Sequence, residues 1–131
     1  MQSPRVVIVL PEEWPRALLR VELRERGYDA VGAPGLEEAE AYASADEDRG
    51  PVRLIVVDQA VLEGAETGAL DRLKRTLGTG SVLLLGRTGA PVPSGAWAAV
   101  VRRPFQVGEV LRAVEELIPL TARTYVPIDT K

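Results

Sequence analysis

The stretch Leu54-Ile55-Val56-Val57-Asp58 decides the architecture: four apolar residues, three of them β-branched, ending on a carboxylate. An apolar run with no polar residue alternating into it reads as a strand buried on both faces, the habit of a parallel sheet covered by helices. Val6-Val7-Ile8-Val9-Leu10 repeats the pattern upstream and is ended by Pro11. Downstream, Val82–Leu85 repeats it and ends on Gly86, and Ala98–Val101 runs into Arg102-Arg103-Pro104-Phe105. Tyr28–Ala33, closed by Pro34-Gly35, supplies a shorter strand between the first two runs.

Helical spacing fills the gaps. Trp14-Pro15 opens a helix, with the proline in the first turn, where a missing N–H costs nothing. Glu12 and Glu13 suit the positive end of its dipole. Trp14, Ala17, Leu18 and Val21 predict its apolar face, and Gly27 stops it. Leu36–Ala45 is rich in Ala and Glu and reads as a second helix, followed by the polar link Asp46-Glu47-Asp48-Arg49-Gly50-Pro51. Ala69, Leu70, Leu73 and Leu77 mark a third helix, broken by Gly78-Thr79-Gly80. Val107, Val110, Leu111, Val114, Leu117 and Ile118 mark the last, which Pro119 terminates. Arg87–Gly95 holds two prolines and two glycines in nine residues and is poor helix material. Strands alternating with helices describe an α/β fold, a doubly wound five-stranded parallel sheet of (βα)5 type with a shortened or missing fourth helix. In such sheets function sits at the carboxyl ends of the strands. That edge is Leu10-Pro11, Asp58, Gly86 and Arg103-Pro104.

The 131 residues, 46% apolar and 27% charged, suit one globular domain, with residues 1–119 as its body and 120–131 as a C-terminal tail or linker. There is no His and no Cys, which excludes Ser-His-Asp and Cys-His nucleophiles, histidine bases and every Cys/His zinc pattern. Disulfides are excluded as well, and a cytoplasmic location is expected. The net charge of −3 hides an asymmetry: 14 acidic against 7 basic residues in 1–66, and 5 against 9 in 67–131. Arg72, Lys74, Arg75, Arg102 and Arg103 are not interleaved with stacking aromatics, so no direct nucleic-acid contact is expected. Val6–Leu10 is too short to span a bilayer, so no membrane partner is expected either. Trp14, Trp97 and Tyr125 stand alone and are expected to be packing residues, not stacking platforms.

Three pieces, in this order and spacing, resemble the receiver domain of two-component response regulators over roughly residues 5–118: Leu23-Arg24-Glu25-Arg26-Gly27-Tyr28-Asp29-Ala30-Val31, the Leu54–Asp58 run, and Val100-Val101-Arg102-Arg103-Pro104-Phe105 before an amphipathic helix. The resemblance implies a receiver, flavodoxin-like fold and puts the phospho-acceptor position at Asp58. It also implies departures. The family's Mg²⁺-holding acid pair falls on Leu10 and Pro11, with Glu12 and Glu13 as the available substitutes. Its Ser/Thr position falls on Gly86, with Thr88 two residues on, and its lysine position falls on Arg103. Mg²⁺ takes carboxylates with near-octahedral geometry, and one remaining carboxylate holds it poorly.

The expected function is therefore a pseudo-receiver. This is a two-component-type, phosphorelay signal-transduction module that acts through protein–protein contact, without Mg²⁺-dependent phosphorylation, enzymatic activity or a cofactor. Asp58 and Arg103 form a buried pair in this reading, and Leu10 and Gly86 make their pocket apolar. Its partner is a sensor kinase, an effector domain or another signalling protein, and a homodimer is open to it. The alternative is a working atypical receiver, phosphorylated on Asp58 with Mg²⁺ held through Glu12 or Glu13. A third reading, a small flavodoxin-like nucleotide or cofactor binder, rests on Gly86-Arg87-Thr88-Gly89, whose backbone amides follow a strand and offer an anion cradle. Gly78-Thr79-Gly80 precedes a strand instead, and reads as a helix-ending turn.

Overall fold

The computed structural model describes residues 3–44 and 49–120. The part of the polar link at 46–48, the expected tail from Thr121 onward and Tyr125 lie outside the described residues. The elements run β1 (Arg5–Val9), α1 (Glu13–Glu25), β2 (Asp29–Ala33), α2 (Leu36–Ser44), β3 (Val52–Asp58), α3 (Gln59–Glu63), α4 (Ala69–Leu77), β4 (Val82–Gly86), β5 (Ala99–Arg102) and α5 (Val107–Leu117). All strand pairs are parallel, in the order β2-β1-β3-β4-β5. The chain winds one way from β1 to β2 and the other way from β3 onward. The point of reversal lies between β1 and β3, where doubly wound sheets open a crevice.

Period-2 alternation sorts the apolar runs into two cores, one on each face of the sheet. Ile8, Leu54, Val56, Leu83 and Leu85 meet Leu19 and Leu23 of α1 and Val110, Leu111 and Val114 of α5. Val7, Val9, Ile55, Val57, Val82 and Leu84 meet Ala39 of α2 and Leu73 and Leu77 of α4. Each of these helical Leu and Val side chains contributes about 1.5–3 kcal/mol gross by leaving water. Leu120 still packs on the first core.

The apolar face expected for α1 needs correction. Trp14 is 74% exposed and Val21 also faces solvent, whereas the buried stripe is Leu19 and Leu23. Both stripes have helical spacing, so the sequence alone does not choose between them. Two arginines make the choice. Arg16 Nη1 donates to the carbonyls of Leu10 and Pro11, and Arg24 Nε donates to the carbonyl of Ala30, which turns Leu19 and Leu23 towards the sheet.

No helix occurs between β4 and β5, as the prolines and glycines of that stretch indicate. The third crossover instead carries two helices, α3 and α4, parted by a link that ends in Gly68 at φ +87. Gly78, at φ +74, ends α4, and its N–H and that of Thr79 both bond the Lys74 carbonyl, the helix-ending turn expected there. The charge asymmetry between the two halves of the chain is resolved locally. Acidic α2 lies beside basic α4, with Arg72 facing Glu40 at 3.8 Å.

Candidate functional site

Asp58 is the last residue of β3 and shares the α1/α5 side of the sheet with Leu54 and Val56. Its carboxylate is only 6% exposed. Arg103 stands one residue past β5, and its N–H extends the ladder by bonding the Gly86 carbonyl at 3.0 Å. The Arg103–Pro104 peptide is cis. From there the guanidinium Nη2 donates to Asp58 Oδ2 at 3.1 Å and to Glu12 Oε1 at 3.2 Å, while the group lies 5.1 Å from the centre of the Phe105 ring. One nitrogen thus joins the exits of β1, β3 and β5.

This arrangement refines the expected buried pair. Asp58 is buried, but Arg103 stays 26% exposed because it also reaches the largely exposed Glu12. The geometry brings Glu12 to Asp58 through the guanidinium. Glu13, exposed in the first turn of α1, has no ion pair among the described residues. Thr88 lies in an exposed turn and makes no hydrogen bond to Asp58. Gly86 is buried, but it alternates with Val82 and Leu84 on the opposite sheet face. A Cβ there would approach Arg102 Cγ at 3.3 Å and Val100 Cγ1 at 3.8 Å. Leu10 is fully buried in the α1/α5 core, its side chain committed to packing.

The oxygens at the exit of β1 are already engaged. Arg16 Nη1 lies 2.6 Å from the Leu10 carbonyl and 3.2 Å from that of Pro11. Its stem crosses β2 at Gly32, where any Cβ would come within 2.9 Å of Arg16 Cγ. The residues present do not fit Mg²⁺. Of the acid-pair positions one is a buried leucine and the other a proline, their carbonyls are held by Arg16, and the Asp58 and Glu12 carboxylates are held by Arg103. No group of three or more Asp, Glu, His or Cys able to hold a metal occurs among the described residues.

Sequence reasoning missed Gln59. The first residue of α3, it is buried, and both ends of its amide are used. Oε1 accepts from the Arg87 N–H at 2.9 Å, and Nε2 donates to the Pro91 carbonyl at 3.1 Å. Beside it, Arg87 Nη1 pairs with Glu63 at 2.6 Å. Gln59 therefore fixes the helix-free fourth crossover, and it takes one of the amides an anion cradle at Gly86–Gly89 would use. No periodicity or motif marks it, since glutamine after a strand-terminal acid reads as solvated. Trp97 fixes the far side of the same crossover as expected, packing on the second core with its indole N–H on the Pro93 carbonyl at 2.8 Å.

Similar folds are found among solved structures. A response-regulator receiver-domain protein from Bacillus halodurans superposes with a TM-score of 0.68, at 21% identity over 91% of this chain and all of that one. A response regulator from Thermotoga maritima gives 0.66, at 20% identity over 90% of this chain and 99% of the other. The fold is that of a receiver domain. A response regulator from Burkholderia pseudomallei, solved with a phosphorylated aspartic acid, a calcium ion and citrate, gives 0.64 at 20% identity over 93% of this chain and 69% of that one. No family model matches the sequence, and no curated protein matches it. No helix among the described residues of this receiver fold is long and apolar enough to cross a membrane.

Proposed function

We propose that the chain is a pseudo-receiver, a two-component-type signalling module that works by binding a protein partner and does not depend on Mg²⁺ or on phosphorylation of Asp58. The observation that carries this is Arg103 Nη2 seated on the Asp58 carboxylate at 3.1 Å, beside an acid-pair position filled by buried Leu10 and by Pro11. Phosphoryl transfer to a carboxylate relies on a cation to neutralise the charge developing on the phosphoryl oxygens. The Burkholderia pseudomallei protein has a phosphorylated aspartic acid and a calcium ion in one structure. Here the donors for such an ion are bound to arginine. The partner is a signalling protein, a sensor kinase or an effector domain, and the module carries no catalytic residue of its own.

Glu12 favours a second reading, a working atypical receiver in which that residue supplies the missing acid, because it lies on the same guanidinium as Asp58. Intact-mass spectrometry after incubation with acetyl phosphate, with and without Mg²⁺, separates the two. The pseudo-receiver shows no added phosphoryl group in wild type or Asp58→Asn. A Mg²⁺-dependent gain that Asp58→Asn abolishes establishes the working receiver.

A further inference from the structure

At the exits of β1 and β3 two guanidinium groups each use one nitrogen to bridge two oxygens. Arg16 Nη1 spans the carbonyls of Leu10 and Pro11, and Arg103 Nη2 spans the carboxylates of Asp58 and Glu12. The first pair of oxygens lies in one turn and the second comes from separate loops, and drawing such oxygens together is the work a divalent cation does in an oxygen-lined site. A guanidinium does it without dissociating, because it is charged at every accessible pH and is tied to the chain.

We propose that Arg103, seconded by Arg16, is a tethered counter-cation: it clasps the β1–α1 turn to β3 and to the β5–α5 turn and so fixes this edge in one arrangement that needs no metal ion. The proposal rests on the pseudo-receiver reading and extends it to how that edge is held. The two contacts of the clasp differ. Asp58 is its buried anchor, whereas Glu12, 62% exposed, is its removable side. The Phe105 ring under the guanidinium steadies the same placement from the α5 side. Because Glu12 lies at the N-cap of α1, the clasp also sets where that helix begins.

Hydrogen exchange on the whole chain tests this at the first bonded amides of α1, from Arg16, whose N–H reaches the Glu12 carbonyl at 3.3 Å, to Leu18. In wild type these amides exchange at the same rate in millimolar Mg²⁺ and in EDTA. Glu12→Gln, an exposed change that leaves the core untouched, quickens them about two- to fivefold, the range expected for a pair with one exposed member. Arg103→Gln quickens them at least as much, and the double variant is no faster than Arg103→Gln alone, since both changes open one clasp. Mg²⁺ slowing exchange in wild type overturns the proposal, because a metal ion then takes the arginine's place. So does Glu12→Gln exchanging like wild type. The two readings fail separately. Phosphorylation of Asp58 with unchanged Mg²⁺-independent protection removes the pseudo-receiver reading and leaves the clasp standing. Mg²⁺-dependent protection without phosphorylation removes the clasp alone.

Discussion

The exits of β1 and β3 and the exit of β4 lie on the same edge of the sheet, yet they are secured by different chemistry. At the first, charged guanidinium groups join Glu12 and Asp58 and hold the carbonyls of Leu10 and Pro11, and part of the assembly faces water. At the second, a neutral and buried amide, Gln59, meets two backbone groups of a crossover that has no helix. Solvent screening keeps the charged clasp weak, so it sets position more than stability. The buried amide is the reverse: Gln59 itself lies out of water, so its two bonds to the crossover escape the screening that weakens the charged pair.

That contrast predicts an order of effects. Gln59→Ala is the most damaging change, about 2–3 kcal/mol in urea denaturation, with exchange rising first at Arg87; a loss no larger than that of Asp58→Asn breaks the comparison. Tyr28→Phe comes next, at about 1 kcal/mol, because it removes the neutral bond from the Tyr28 hydroxyl to the Ile118 carbonyl, 2.6 Å long. It also changes the alkaline limb. Burial first, and the Glu115 charge second, raise the Tyr28 phenol above its ordinary 10.0, with Arg26 opposing. The folded state therefore holds that proton more tightly than the unfolded chain. The resulting stability is complete below the ordinary value and is lost as pH rises through the raised one. Denaturation followed from neutral pH into that range shows the decline in wild type and its absence in Tyr28→Phe.

Asp58→Asn sharpens the comparison further. It keeps an acceptor for Arg103 and removes a charge, so it costs about 0.5–1 kcal/mol, and circular dichroism and partner binding stay as in wild type. Trp14→Ser is the smallest change, within about 0.5 kcal/mol, since the indole is 74% exposed. A loss of several kcal/mol would restore the apolar face that the sequence suggests for α1.

The three central strands were legible because a strand buried on both faces of a parallel sheet has one signature, an unbroken apolar run, and Val6–Leu10, Leu54–Val57 and Val82–Leu85 all carry it. The edge strands β2 and β5 lack it and were placed by the turns and helices around them. The absent helix between β4 and β5 was legible for an equally local reason, two prolines and two glycines in nine residues. The face of α1 was not. Trp14 with Val21 and Leu19 with Leu23 are both helically spaced stripes, and the choice depends on Arg16 and Arg24 finding carbonyls in other elements. At the candidate site, Asp58 and Arg103 were read at strand ends, and the structure pairs them there at 3.1 Å. Gly86 was assigned to the site by its position, yet it alternates onto the other sheet face. Gln59 was invisible because its role lies in contacts 28 and 32 residues away.

The two tryptophans fall one in each of the compared regions. Trp14 stands two residues from Glu12 and is open to solvent, whereas Trp97 is partly buried with its indole N–H engaged. Their fluorescence therefore reports on the β1–α1 turn and on the far side of the crossover separately. Trp14 emits to the red and is open to collisional quenching, and Trp97 emits to the blue and is shielded. Replacing each in turn with Phe leaves a chain with a single emitter, so a partner that seats on the β1–α1 turn and one that seats on the helix-free crossover are told apart in a single titration, without any label.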